Sequence, residues 1–209
     1  MACELTLLER VDAPWPCGRT GDVAWLDHDV LEGEPDHDGR CAVFSGSLGE
    51  SRFDADVRSW LPGARETLAQ HLSACPADVL LRPHHAHILS DVPGTRSMLN
   101  GRCPRPVALD VGALLTPSMA LDAAPHLDRI MHGLGPMAGA ILLSDLRIDE
   151  AGHAVACSMG EGILPGGVLG DSMTQWLDPA LSGDVVIGVM ACDIDTAARW
   201  LGWLSCPHP

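Results

Sequence analysis

The sequence predicts an α/β fold built on parallel strands, and two observations predict it. Short apolar runs rich in β-formers recur at intervals of roughly thirty to forty residues, with helix-like stretches between them, as in right-handed βαβ units. Four of those runs stop abruptly in polar groups: Asp78-Val-Leu-Leu-Arg-Pro-His-His-Ala-His87, Val107-Ala-Leu-Asp110, Ala140-Ile-Leu-Leu-Ser-Asp145 and Val185-Val-Ile-Gly-Val-Met-Ala-Cys-Asp193. In parallel α/β folds the carboxyl ends of the strands open onto the ligand site, so such endings mark one shared rim.

Taken in order, residues 1–40 are irregular. Leu5 to Leu8 and Val23 to Leu26 have the composition of short strands, and Pro14, Pro16 and Gly18 interrupt between them. Asp27 to Asp38 reads as a solvated acidic loop, with His28 and His37 among its carboxylates. Cys41-Ala-Val-Phe-Ser-Gly46 is a strand. Val57, Trp60, Leu61, Ala64, Leu68 and Leu72 then recur at helical spacing up to Cys75, with Pro62 marking a break or a fresh first turn.

After the strand Val79 to Arg82, Ser90 or Asp91 caps a short helix near Pro93. Val107 to Asp110 is the next strand, Leu114 to Met119 a loop or short helix, and Ala123 to Leu134 a helix closed by Gly133 or Gly135. Ala140 to Asp145 is a strand, followed by a turn or hairpin around Ala151-Gly152 and a glycine-rich loop from Ser158 to Leu169. Ser172 to Leu177 and Thr196 to Leu204 are helical, on either side of a last strand from Val185 to Ala191.

A chain of 209 residues, 46% of them hydrophobic, buries one sizeable core, so one domain is expected. A complete eight-stranded barrel usually needs about 250 residues, and the first forty cannot supply three βα units. The expected architecture is an incomplete or truncated β/α barrel, with an open edge beside Cys41 to Ser45 that a partner copy would cover. The formal charge of −15 sets 28 carboxylates against 13 basic residues, all arginine, with neither lysine nor tyrosine present. So acidic a surface repels a phosphate backbone, which argues against nucleic acid as a partner. No apolar run approaches the ~20 residues needed to cross a bilayer, and Met1-Ala-Cys-Glu-Leu-Thr lacks a signal-peptide pattern, so a cytoplasmic protein is expected. The eight cysteines show no CxxC pair and read as reduced thiols.

The order of the strand endings from about Cys41 to Leu204 resembles the xylose-isomerase-like TIM barrels, which include sugar-phosphate isomerases and epimerases and resemble endonuclease IV. Where that family closes a strand with Glu-Asn-His or a similar triplet, this chain has Arg82-Pro83-His84. Its leucine-aspartate-x-glycine motif is matched by Leu109-Asp110-Val111-Gly112. Its His-x-x-Asp and Gly-x-Gly are matched by Leu142-Leu-Ser-Asp145 and Gly160-Glu-Gly162, and its last glycine and carboxylate by Gly188 and Asp193.

The resemblance implies a divalent metal (Mn, Mg or Zn) and proton transfer on a small polyol, ketose or sugar phosphate. The family's four ligand positions fall on Arg82, Asp110, Leu142 and Asp193, two of which cannot ligate. Because His84 shares a strand face with Arg82, a relocated site would use His84, Asp110 and Asp193 as both metal ligands and catalytic groups, with Asp145 as a further oxygen donor. Arg82, His85, His87, Asp145 and Glu161 are then the expected substrate contacts. Three alternatives stand: an isomerase or epimerase with an altered metal site; a non-catalytic relative in which Arg82 replaces the metal and the pocket binds an anionic or polyol ligand; and a barrel completed by another subunit.

Overall fold

A computed structural model describes residues 18–20, 22–46, 63–101, 105–150, 152, 154–164 and 185–190. The strands are β1 (Gly18–Thr20), β2 (Val23–Asp29), β3 (Cys41–Phe44), β4 (Val79–Arg82), β5 (Val107–Asp110), β6 (Ala138–Leu143), β7 (Asp145–Ile148), β8 (Ala154–Cys157) and β9 (Val186–Val189). The helices are α1 (Ala64–Ala74), α2 (Val92–Gly101), α3 (Pro117–Ala120) and α4 (Ala123–Leu134). The main sheet runs β1-β2-β3-β4-β5-β6-β9. β2 to β9 of that sheet are parallel, and β1 folds back antiparallel on β2. Its outermost strands, β1 and β9, come within 8 Å of each other between Cα atoms, so the sheet curls as part of a barrel.

The period of two along each strand separates two cores. Val43, Val79, Leu81, Val107, Leu109, Ile141 and Leu143 pack with Leu68 and Leu72 of α1 and with Leu127 and Met131 of α4. The alternate positions, Val23, Trp25, Ala42, Leu80, Ala108, Ala140 and Leu142, form a second buried cluster on the inside of the curl. Three of those seven are alanine, and side chains that small leave room for the sheet to bend tightly around the bulk of Trp25 and Leu80.

The expected helices form where their apolar spacing places them. α1 begins after Gly63, whose φ of +81° suits glycine, and buries Ala64, Leu68 and Leu72 at four-residue steps. Asp91 caps α2 by accepting the Gly94 amide through Oδ1 at 2.5 Å. α4 spans Ala123–Leu134 and meets Gly135 at its end; within it, Gly133 has no room for a Cβ against Val92 of α2, so that glycine lets the two helices touch. The helical expectations at 57–62, 172–177 and 196–204, and the strand at Leu5 to Leu8, lie outside the described residues.

Two expectations are corrected. The edge expected to be open beside Cys41 to Ser45 is covered from within the chain: the run Val23 to Leu26, read as a short strand, forms the longer β2, which pairs in parallel with β3 (Ala24 with Cys41, Trp25 with Ala42, Asp29 with Phe44), and β1 pairs with β2 in turn. The strand expected to end at Asp145 ends at Leu143 instead; Asp145 opens the β7–β8 hairpin. No described helix is long and apolar enough to cross a membrane.

Cys41 and Cys75 are buried thiols. Burial, then the Asp78 carboxylate, then the Cys75 thiol push Cys41 from 9.0 up to about 11. A folded-state pKa above the unfolded one stabilises fully below the unfolded value and loses that contribution as pH rises through the folded value. Without lysine or tyrosine, cysteines are the only side chains that titrate in this window. Unfolding free energy should therefore fall by about 2–3 kcal/mol between pH ~9 and ~11, at 1.36 kcal/mol per unit, and Cys41→Ala should flatten that slope in urea titrations. An unchanged slope in the variant would contradict this.

Candidate functional site

The inner positions continue past the apolar cluster into polar groups. Next after Leu80 on that face is Arg82, and next after Ala108 is Asp110; both are 0% exposed. Arg82 Nη2 donates to Asp110 Oδ2 at 2.6 Å, and Ser144 Oγ donates to Asp110 Oδ1 at 2.8 Å. The guanidinium carbon lies 4.4 Å from the Phe44 ring centroid and 5.3 Å from that of Trp25. Both carboxylate oxygens of Asp110 are thus engaged, one by a permanent cation. A Cβ at Gly112 would stand 3.0 Å from Ser144 Oγ, which gives the glycine of Leu109-Asp-Val-Gly112 a steric reason.

Beyond β4 the chain turns through the three histidines and is tied on both sides. His84 N donates to Leu89 O at 3.0 Å, and Leu89 N to Ser45 Oγ at 3.0 Å, which joins the loop to the end of β3. The His85 amide donates to Ala113 O at 2.8 Å, and its ring Nδ1 meets the same carbonyl at 3.1 Å, which joins it to the segment after β5. The rings of His84 and His85 stack at 4.4 Å between centroids, His84 and His87 lie at 4.7 Å, and His87 packs on Phe44 at 5.0 Å. His87 Nδ1 stands 3.9 Å from Asp29 Oδ1. His84 and His87 are buried, and His85 is half-buried.

Asp145 is 1% exposed, and its carboxylate faces backbone. Oδ1 accepts the amides of Leu146 (2.7 Å) and Leu164 (3.0 Å), and Oδ2 those of Gly160 (3.1 Å) and Gly162 (3.0 Å). A Cβ at Gly162 would collide with this carboxylate and with Leu146 O. Met159 N donates to Met190 O at 2.8 Å, so the clasped loop is also fixed to the end of β9. Glu161, between the two glycines, is exposed.

Of the residues expected at the site, Arg82, His84, His85, His87 and Asp110 are brought together at the rim. Asp145 stands beside them and is turned into the glycine-rich loop, Glu161 points to solvent, and Asp193 lies outside the described residues. Asp29 and Ser144 were missed. Val23-Ala-Trp-Leu-Asp-His-Asp29 carries the same signal as the other strands, an apolar run ending in polar groups, and the acidic run after it obscured this. Ser144 follows Leu142 by two and so shares its face.

The described donors do not fit a divalent cation. Asp110 is neutralised by Arg82, Asp145 is saturated by four amides, and no group of three or more His, Cys, Asp or Glu among the described residues is arranged to hold a metal. If Asp145 acts as the loop's anchor, Asp145→Asn replaces an acceptor by a donor facing amides. Hydrogen exchange at Gly160, Gly162 and Leu164 should then rise by at least about tenfold while β5 keeps its protection. Equal exchange in both proteins would contradict the anchor.

No family model matches the chain, and no curated protein is similar to it in sequence. Solved structures are similar in fold. A xylose isomerase-like TIM barrel protein from Mycobacterium smegmatis, solved in complex with magnesium, superposes with a TM-score of 0.50 at 9% identity over 79% of this chain and 60% of that one. Endonuclease IV from Thermus thermophilus does so with a TM-score of 0.52 at 16% identity over 79% of this chain and 61% of that one. The chain thus spans about three-fifths of the length of each. Six parallel strands curled with helices outside, and these two likenesses, give the chain the fold of the xylose-isomerase-like TIM barrels.

Proposed function

We propose that this chain is a metal-independent barrel of the xylose-isomerase-like fold whose rim binds a small neutral polyol or ketose. The observation that carries the reading is the buried Arg82–Asp110 pair closed by Ser144. A guanidinium cannot ligate a metal and cannot be deprotonated at any working pH, so it occupies as a fixed charge the place where the resembled family holds a cation. Because Asp110 offsets that charge and the whole chain carries −15, the rim has little attraction for an anion. Imidazoles and hydroxyls remain as the recognising groups, and these suit hydroxylated ligands.

A second reading, a sugar or sugar-phosphate isomerase or epimerase using Mn, Mg or Zn, draws on the fold alone, since the similar Mycobacterium smegmatis protein was solved with magnesium. It requires Asp110 to leave Arg82. Elemental analysis of the purified protein after incubation with Mn and Zn separates the two. The proposal predicts no retained metal, measurable metal retention in Arg82→Glu, and a rise in melting temperature of the unaltered chain with xylitol. Near-stoichiometric metal in the unaltered chain, lost in Asp110→Ala, would overturn it in favour of the isomerase.

A further inference from the structure

The chain contains a single asparagine, Asn100, and it stands directly before Gly101. The two are the last residues of α2. That helix buries Thr95, Met98 and Leu99, whereas Asn100 and Gly101 are both exposed. A Cβ built on Gly101 meets nothing within 4 Å, so no packed group crowds this end of the helix from that side.

Little holds the end in helical form. Asparagine and glycine are both poor helix formers, because the asparagine side chain competes for backbone bonds and glycine loses the most backbone freedom. No basic residue stands in the last turn of α2 to meet the negative end of its dipole. Pro104 has no amide hydrogen, so residue 104 cannot extend the helix by bonding back to the Asn100 carbonyl. In α-helical geometry the Gly101 amide is bonded to the carbonyl four residues back, and releasing it leaves the buried Met98 and Leu99 side chains in place. Such an end frays at little cost.

We propose that Asn100 is a site of spontaneous covalent modification, converted to aspartate and isoaspartate through ring closure on Gly101. In the opened turn the Gly101 nitrogen, unhindered by any Cβ, attacks Cγ of Asn100. A C–N bond forms, the five-membered succinimide closes, and the side-chain nitrogen leaves as ammonia with the proton that the Gly101 amide gives up. Water then opens the ring. Attack at the side-chain carbonyl leaves isoaspartate's counterpart, ordinary aspartate, with the main chain restored only if the bond to Cγ breaks; attack at the main-chain carbonyl leaves isoaspartate, in which the backbone runs through Cγ. Over both steps one water is consumed and one ammonia released. Either product adds a negative charge at the end of a helix, where the dipole disfavours it, so modification loosens the last turn of α2 further. The site is independent of what the rim binds.

The test follows the full chain in mildly alkaline buffer, with and without urea, by peptide mapping and mass spectrometry. The Asn100→Asp variant supplies the aspartate standard from which isoaspartate separates by retention. The expected result is both products at Asn100, formed in the native chain at a rate within about tenfold of that in the urea-unfolded chain, since a fraying terminus opens at little cost. Gly101→Ala, which crowds the attacking nitrogen and favours the helix, should slow native conversion severalfold, and the open space around Gly101 accommodates the added methyl. Native conversion more than about tenfold slower than in urea would overturn the proposal, because it would mean that the helix end protects Asn100. An unchanged rate in Gly101→Ala would overturn it too, because ring closure would then not pass through the Gly101 nitrogen.

Discussion

The buried ion pair between Arg82 and Asp110 is the constraint around which the rest of the rim is arranged. Two full charges on the inside of a curled sheet are tolerable only if each is neutralised and hydrogen-bonded, because desolvation costs several kcal/mol per ion. Ser144 supplies the second bond to Asp110, Gly112 leaves room for it, and Phe44 and Trp25 present ring faces to the guanidinium. Replacing either charged residue alone would leave the other buried without its partner. The pair therefore fixes how β4 and β5 end, and with them where the histidine loop starts.

Two loops are held above that pair by backbone accounting. The histidine loop is tied to β3 through Ser45 and to the segment after β5 through Ala113, so its three rings cluster instead of spreading into solvent. The glycine-rich loop is held by one carboxylate, Asp145, that takes four amides. In both cases a buried side chain satisfies amide donors that would otherwise be stranded near the protein interior. The result is a rim whose walls are set before any ligand arrives.

Much of this was legible in the sequence because the relevant signals are local. β4 and β5 coincide with the apolar runs Val79 to Arg82 and Val107 to Asp110, and α4 with the spacing of Leu127, Ile130, Met131 and Leu134. Arg82, a permanent cation at a strand end, was legible as a rim residue. β2 was harder to see: its polar end runs directly into the acidic segment, and Asp29 reads as solvated until β3 and the histidine loop enclose it. The four-amide grip of Asp145 depends on residues fifteen to nineteen positions away meeting one carboxylate. No periodicity encodes that. The contacts of His84 Nδ1 with the Ala86 amide and of His85 Nδ1 with Ala113 O likewise depend on which backbone group each ring meets.

The most direct test of the central pair is a double-mutant cycle in urea with Arg82→Met, Asp110→Leu and the combined variant. Each single replacement should cost about 3–5 kcal/mol, and the double should cost far less than their sum, with a coupling of at least about 2 kcal/mol. Additivity within about 0.5 kcal/mol would contradict the account, because it would mean that the two charges do not depend on each other.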